Sequence, residues 1–182
     1  MDDLSLYVLD ITMNSVRAGA DEISVELVEE GDFLRFSVSD NGCGMTKEQL
    51  EKLSDPFFTT RKTRKVGLGI PFLKMLAEMT GGEVSISSVH ESVSKDHGTT
   101  TVATFGRNHI DFIPLGDLVE TVKTLIQGYP NVDFTYRHKK ETGEITLSCA
   151  SLREILGDVP LNEPEILAWI GEYLAEQYEA AK

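Results

Sequence analysis

Residues 40–45 read Asp40-Asn41-Gly42-Cys43-Gly44-Met45 and follow a run, residues 33–39, in which apolar and polar side chains alternate. The alternation predicts a β-strand, and the asparagine and two glycines predict a tight turn after it. The strand therefore carries the carboxylate of Asp40 to a turn too narrow for side chains, where it can meet a ligand. Surface turns also favour Asp, Asn and Gly, so this segment alone is weak evidence for a ligand site. Three further segments, at residues 10–17, 55–70 and 98–101, support that interpretation.

Five segments in a fixed order resemble the sequence boxes of one ATP-binding superfamily. They lie at residues 10–17, 40–45, 55–60, 67–70 and 98–101. In that order they are similar to the N, G1, F, G2 and terminal Gly-Thr boxes of the GHKL superfamily, also called the Bergerat type. That superfamily includes histidine kinases, gyrase, MutL-type repair proteins, the large heat-shock chaperone and anti-sigma kinases. The resemblance covers residues 1 to about 107.

Within the superfamily, the F box and the short lid after it most resemble the histidine kinase catalytic domain. Residues 14–20 are also similar to the corresponding box of gyrase and MutL. The resemblance implies a pocket for ATP with Mg²⁺.

Charge and length narrow the possible functions further. The chain has 182 residues and a formal net charge of −13, which argues against nucleic-acid binding because phosphate contacts need a basic face. No apolar run approaches the roughly 20 residues that span a bilayer, and the N-terminus has no signal-peptide pattern. We therefore expect a cytoplasmic protein that does not bind membranes. A cationic cluster at residues 61–65 lies between the F and G2 boxes and favours an anionic ligand there.

The periodicity predicts an α/β fold, more strictly α+β, for residues 1–107. Leu6, Leu9, Met13 and Val16 recur at helical spacing and predict the buried stripe of a first helix. Alternating segments predict four strands, the first with Ile23, Val25 and Leu27 on one face. Thr46 and Gln49 have the form of a capping box and predict a short helix to about residue 53, and another helix is expected from residue 71. The expected architecture is a two-layer sandwich in which a mixed, mainly antiparallel sheet has helices on one face.

Residues 108–182 predict a small α/β C-terminal unit of unknown role. A helix over residues 118–127, a hairpin over 132–147 that turns at 141–143, and a final helix over 163–179 are expected. An apolar stripe in the last helix, which includes Trp169 and Ile170, is more typical of a core than of a partner surface. A homodimer formed through this unit is an open alternative.

The resemblance assigns the base-binding end of the pocket. Asp40 would accept a hydrogen bond from the exocyclic amine of adenine. Gly42 and Gly44 belong to the same turn, and Gly44 would let backbone and an ordered water approach the ring. Met45 and Ile70 would form apolar walls.

The resemblance also assigns the phosphate-binding end. Asn14 would be the metal ligand, since its amide oxygen suits Mg²⁺. The turn at Gly67, Leu68 and Gly69 would present backbone N–H groups at a helix N-terminus. Residues 99–101 in the last strand would support the floor of the pocket, with Thr100 as the binding residue.

The remaining assignments concern the lid and the reaction. Phe58 and Thr59 would begin a lid, and Lys62 would contact phosphate. Arg17 and Arg61 would neutralise charge during catalysis. Asp10, Asn14 and Arg17 fall at i, i+4 and i+7 and so share one face of the first helix.

Asp10 stands where gyrase and MutL relatives have a glutamate general base, so its shorter side chain weakens a hydrolase interpretation. Most histidine kinases have a dimerisation helix with a phosphoaccepting histidine before the first box, whereas only about nine residues precede it here. The four histidines of this chain are expected to be solvated or structural. The preferred hypothesis is a phosphotransferase that acts on a separate, unidentified partner protein. The alternatives are a non-enzymatic ATP-sensing regulatory module, an anti-sigma-type serine kinase and a slow GHKL ATPase.

Overall fold

The computed structural model describes residues 2–53 and 68–182. Within these ranges the elements are, in chain order, α1 (Leu4–Arg17), β1 (Glu22–Glu30), β2 (Phe33–Asp40), α2 (Lys47–Leu53), α3 (Gly69–Met79), β3 (Val84–Val89), β4 (Gly98–Gly106), α4 (Leu118–Gly128), β5 (Asp133–Lys140), β6 (Gly143–Ser148), α5 (Cys149–Leu156) and α6 (Pro164–Ala180). The strands form one sheet in the order β3-β4-β2-β1-β5-β6.

The sheet is mixed and mainly antiparallel, as predicted. Strand β1 pairs antiparallel with β2 and parallel with β5, and the other pairings are antiparallel. The register places Asp40 opposite Ile23 on one side and Thr99 on the other. The last residue of β2 therefore lies between two neighbouring strands at one end of the sheet.

Alternation along the strands separates an apolar face from a polar one. Ile23, Val25 and Leu27 of β1 are buried on the face that α1 and α3 cover. The other face carries a row of ion pairs across β2, β1, β5 and β6, in which Arg35, Glu26, Arg137 and Glu144 alternate in charge. The helices thus pack on one face, which confirms the predicted α/β sandwich.

Helix α1 buries a different stripe from the predicted one. Its buried residues are Leu4, Ser5, Tyr7, Val8, Ile11, Thr12 and Ser15, whereas Leu6 is 43% exposed. Three small polar residues can lie on the buried face because their hydroxyls have acceptors: Ser5 donates to Asp3, Thr12 to the Val8 carbonyl and Ser15 to Asp40. The predicted stripe followed the apolar residues alone and so was rotated around the helix.

The C-terminal residues extend the sheet of the first unit. The expected hairpin is present as β5 and β6, and β5 lies beside β1. Helix α5 was not predicted. The division of the chain at residue 107 stays a prediction, but the two parts share one sheet.

A partly buried chain of polar side chains also connects the two parts. The carboxylate of Glu29 accepts hydrogen bonds from Arg107 at 2.7 Å and from His138 Nε2 at 2.8 Å. His138 Nδ1 lies 2.8 Å from the hydroxyl of Tyr178, which lies 2.6 Å from that of Tyr136. His138 is fully buried, so it is a structural histidine, as expected.

Candidate functional site

Asp40 and Met45, the first and last residues of segment 40–45, line a cavity of about 220 Å³ at one end of the sheet. It lies between α1, the end of β2, the start of β4 and the beginning of α3. Its lining combines apolar, hydroxyl and charged side chains: Ile11, Asn14, Ser15, Arg17, Asp40, Met45, Leu53, Ile70, Ile86, Thr99 and Thr101. Five predicted site residues, Asn14, Arg17, Asp40, Met45 and Ile70, are therefore brought together at one cavity.

Asp40 is the most firmly positioned charged group at the cavity. Its Oδ2 accepts a hydrogen bond of 2.5 Å from the Ser15 hydroxyl, and its Oδ1 accepts from the backbone N–H groups of Gly42 at 2.9 Å and Thr99 at 3.3 Å. An ionised carboxylate offers about four acceptor positions, so capacity remains for an N–H donor of a ligand. The site can thus recognise a polar ring edge that presents an amine.

The turn after Asp40 is fixed from two sides. Gly44 has a φ of +69°, and a side chain on it would overlap the Val89 carbonyl, so this position requires glycine. The Met45 N–H donates to the Ser88 hydroxyl at 2.7 Å. The Glu91 N–H donates to the Cys43 carbonyl at 2.8 Å. The connection between β3 and β4 therefore holds the turn in place beside the cavity.

Gly42 lies in the same turn and contributes its backbone. Its N–H donates to Asp40, and its carbonyl accepts from His97 Nδ1 at 2.5 Å. A side chain at this position would press on Ala18 at the end of α1. Gly42 therefore shapes the turn.

Asn14 and Arg17 form the polar side of the cavity. Both line it from α1, and Arg17 Nη1 donates to Asn14 Oδ1 at 3.1 Å. This contact is exposed to solvent, so the arginine can exchange it for an anionic ligand at little cost. Asn14 and Arg17 therefore share one face of α1, and Asp10 is not among the residues that line the cavity.

Asp10 lies one turn earlier on α1, against the start of α3. A side chain built on Gly69 would overlap the Asp10 carboxylate, so the carboxylate touches the backbone of the first residue of that helix. Only glycine permits this approach. Asp10 is thereby placed beside a helix N-terminus, where negative charge is favoured.

The beginning of α3 presents backbone N–H groups beside the cavity. Leu68 occupies the N-cap position, and no side chain of the described residues caps the helix there. The first N–H groups of a helix have no partner within it. Leu68 is half-exposed and contributes backbone, whereas Ile70 lines the cavity.

The structure corrects the position chosen in the last strand. The Thr100 hydroxyl lies 2.9 Å from that of Ser39, on the polar face of the sheet, and Thr100 does not line the cavity. Thr99 and Thr101 line it instead. Side chains alternate along a strand, so the first and third of the predicted residues 99–101 face the cavity and the middle one does not. Phe58, Thr59, Arg61, Lys62 and Gly67 lie outside the described residues.

Sequence reasoning missed the hydroxyl that orients Asp40. Ser15 is buried, follows Asn14 directly and lies 25 positions before Asp40. Its place on the buried side of α1 was the available signal, and the stripe predicted from apolar residues hid it. Ile11, Leu53 and Ile86 were missed as apolar walls, because their approach depends on how the helices pack on the sheet.

A sequence model described as "Histidine kinase-, DNA gyrase B-, and HSP90-like ATPase" matches residues 2–109. The match covers more than half of the chain, and the chain belongs to this family. The predicted resemblance is thereby confirmed.

Relatives with curated names share this part of the chain. An "Uncharacterized sensor-like histidine kinase" of Rhizobium meliloti (strain 1021) is 37% identical over 87 residues, which are 45% of this chain and 16% of the relative. Sensor histidine kinase ZraS of Escherichia coli (strain K12) is 33% identical over 89 residues, which are 48% of this chain and 19% of the relative. The chain therefore spans less than a fifth of the length of these relatives.

Solved structures confirm the fold at low sequence identity. The Aquifex aeolicus MutL ATPase domain complexed with ADP has a TM-score of 0.56 and 18% identity, over 86% of this chain and 68% of that one. The N-terminal domain of a DNA repair protein has a TM-score of 0.56 and 17% identity, over 81% of this chain and 53% of that one. These shares exceed the family match, so the likeness in fold extends beyond residue 109.

Among the described residues, no helix is both long and apolar enough to cross a membrane.

Proposed function

We propose that this chain binds ATP with Mg²⁺ and transfers the γ-phosphoryl group to a separate partner protein. The observation that carries the proposal is the cavity in which Asp40, held by three donors, faces Asn14 and Arg17. Membership of the histidine kinase-like ATPase family supports it. We expect the protein to act in the cytoplasm, where ATP is available.

Base recognition rests on Asp40. Adenine presents an exocyclic amine, which would donate to the carboxylate, while Met45, Ile70 and Ile86 enclose the flat ring. Guanine has a carbonyl at the same ring position, so two acceptors would face each other. Repulsion between them selects ATP over GTP.

The donor set fits magnesium. Mg²⁺ prefers oxygen ligands and usually keeps several waters or phosphate oxygens. Asn14 offers its amide oxygen at the cavity, and the exposed arginine bonded to it can move away. When bound, the ion would neutralise phosphate charge. Asn14 would hold the ion from the protein side, and the nucleotide would supply the other oxygens.

The phosphates would lie between Arg17 and the N-terminus of α3. The uncapped N–H groups after Leu68 suit an anion, and Arg17 adds a mobile positive charge. Arg61 and Lys62, which lie outside the described residues, are proposed as further cationic contacts, and Phe58 and Thr59 as the start of the lid. Asp10, in contact with Gly69, would orient or deprotonate the attacking group.

One observation favours a second candidate, a non-enzymatic ATP sensor. Strand β1 pairs with β2, which ends at Asp40, and on its other side it pairs with β5 of the C-terminal unit. A change at the cavity can therefore reach that unit through the shared sheet. An anti-sigma-type serine kinase and a slow ATPase remain variants of the first candidate. The kinase would transfer the phosphoryl group to a serine, and the ATPase would transfer it to water.

The decisive experiment adds γ-labelled ATP and the purified chain to a lysate of the source cells. Transfer predicts label on a partner protein, and the label should be lost with Asp40→Asn. Calorimetric binding of ATP without any transferred label would favour the sensor. Failure of the folded protein to bind ATP would overturn both candidates.

A further inference from the structure

A groove lies along the free edge of β6, between α5 and α6, outside the residues that the family model matches. It encloses about 510 Å³, and its walls include Leu147, Leu152, Ile155, Trp169 and Tyr173. The rings of Trp169 and Tyr173 stack at 4.9 Å with an angle of 11° between their planes. Large apolar side chains thus surround a space of the size that ligands occupy.

These side chains remain accessible. Ile155 is 80% exposed, Trp169 47% and Tyr173 37%. Contiguous exposed apolar surface is uncommon on soluble proteins and marks interaction sites, and Trp and Tyr are the residues that most often dominate binding energy. The groove therefore has the composition of a binding surface.

The surroundings of the groove are strongly acidic. Residues 141–182 contain nine carboxylate side chains and two cations. On α6, Glu165, Glu172 and Glu176 lie three or four positions from Trp169 or Tyr173 and flank the stacked rings. All three are exposed.

The nearby cations are already paired. Arg137, which lines the groove, pairs with Glu26 and Glu144. Arg153 pairs with Asp133 and donates to two backbone carbonyls. The groove thus offers an apolar centre with a negative rim.

The edge of β6 is closed to strand addition at its centre. The side-chain amide of Gln177 accepts from the Thr146 N–H at 2.9 Å and donates to the Thr146 carbonyl at 3.0 Å. These are the central two of the backbone groups through which an added strand would pair. A ligand must therefore insert side chains into the groove.

We propose that the groove binds an amphipathic helix of a partner protein, in which lysine or arginine residues border an apolar anchor. Charge complementarity carries this choice of occupant. A second copy of the chain would bring another acidic rim against the first, and like charges oppose that contact. The partner helix would insert its anchor beside Ile155 and Trp169 and place its cations on the glutamates of α6.

The test uses the single tryptophan of the chain, Trp169, as a reporter. The probe is an acetylated leucine-lysine peptide of about four helical turns. A leucine-glutamate peptide of the same pattern is its control. The lysine peptide should shift the Trp169 emission to shorter wavelength, and raising the salt from about 50 to about 500 mM should weaken the binding. The glutamate peptide should not bind.

Two pairs of variants separate the groove from general charge attraction. Ile155→Ser should weaken binding of the lysine peptide about tenfold. Ile110→Ser should not weaken it, because Ile110, which is 94% exposed, does not line the groove. Glu172→Lys should weaken binding several-fold, and Glu83→Lys, with the same change in net charge, should have a smaller effect.

Absence of an emission shift with folded protein would overturn the proposal. So would equal binding of both peptides, or equal losses in the variants and their controls. Sedimentation that shows a dimer whose dissociation alters the Trp169 emission would assign the groove to a second copy instead.

Discussion

The hydroxyl of Ser15 lies 2.5 Å from Oδ2 of Asp40 and joins the buried side of α1 to the end of β2. Through this bond the helix that carries Asn14 and Arg17 is held in a fixed position relative to the carboxylate. The base-binding and phosphate-binding ends of the proposed site are therefore coupled by one side chain.

The first prediction concerns Asp40. Asp40→Asn keeps the size of the side chain but can turn a donor toward the amine of adenine, and it removes a charge-assisted hydrogen bond. ATP binding should weaken by roughly 1.5 to 3 kcal/mol, measured by calorimetric titration. Asp96→Asn, in the exposed connection between β3 and β4, is the matched control. Unchanged affinity in folded Asp40→Asn would remove this residue from the site.

The second prediction separates metal binding from helix packing. Asn14→Ala should weaken Mg-ATP by about tenfold or more but should hardly affect ATP measured with a chelator, because the amide oxygen acts only on the ion. Asn108→Ala, at an exposed residue after β4, should change neither value. Equal losses with and without the chelator would assign Asn14 a structural role.

The third prediction concerns Asp10, which divides transfer from hydrolysis. A carboxylate must come within hydrogen-bond reach of the water that attacks the phosphate, and aspartate is about one bond shorter than glutamate. The natural protein should hydrolyse Mg-ATP very slowly, and Asp10→Glu should raise the rate, as followed by phosphate release. Fast hydrolysis that Asp10→Asn abolishes would favour an ATPase instead.

The fourth prediction tests the turn that holds Asp40. Gly31 and Gly44 both have positive φ, +56° and +69°, but a side chain on Gly31 meets no atom within 4 Å, whereas one on Gly44 overlaps the Val89 carbonyl. Gly31→Ala should cost about 1 to 2 kcal/mol of unfolding free energy from backbone strain alone. Gly44→Ala should cost at least about 1 kcal/mol more. Urea unfolding of both variants measures the difference, and equal losses would contradict the close approach.

The fifth prediction follows from burial of His138. Burial lowers the pKa of this imidazole, although its hydrogen bond to Glu29 acts in the opposite direction, and the positive charges of Lys140 and Arg107 lower it further. The folded protein therefore keeps His138 neutral at a pH where the unfolded chain takes up a proton. Stability should be fully present above about pH 6.5, the unfolded value, and should be lost as the pH falls below it.

The measurement is the unfolding free energy as a function of pH. His138→Gln should show a shallower decrease below pH 6.5 than the natural protein, by at most about 1.4 kcal/mol per pH unit. A natural protein and a His138→Gln variant with parallel pH profiles would contradict the prediction.

Local signals in the sequence were reliable where neighbouring residues determine the structure. Thr46 and Gln49 predicted a capping box, and both of its hydrogen bonds are present, at 2.9 and 3.2 Å. Alternation predicted the buried side of β1 correctly. These features depend on contacts within a few residues, so the sequence contains them almost directly.

Features that depend on distant residues could not be predicted in the same way. The parallel pairing of β1 with β5 joins strands separated by more than 90 residues. No sequence pattern within either strand indicates which strand will be its partner. Helix α5 is short, with Ser148 as its cap, and its apolar pattern is too brief to separate from a loop. The orientation of Ser15 and Thr101 toward the cavity depends likewise on the packing of α1 and the register of β4.

The position of β1 has a consequence for any shortened form of the protein. Its residues from Glu22 to Val28 are bonded to β5 on the side away from β2. A chain cut after residue 109 would leave the backbone N–H and C=O groups on that side of β1 without partners. Such an exposed strand edge can pair with other molecules and cause aggregation. The C-terminal hairpin thus covers this edge of β1 and protects the part of the chain that the family model matches from aggregation.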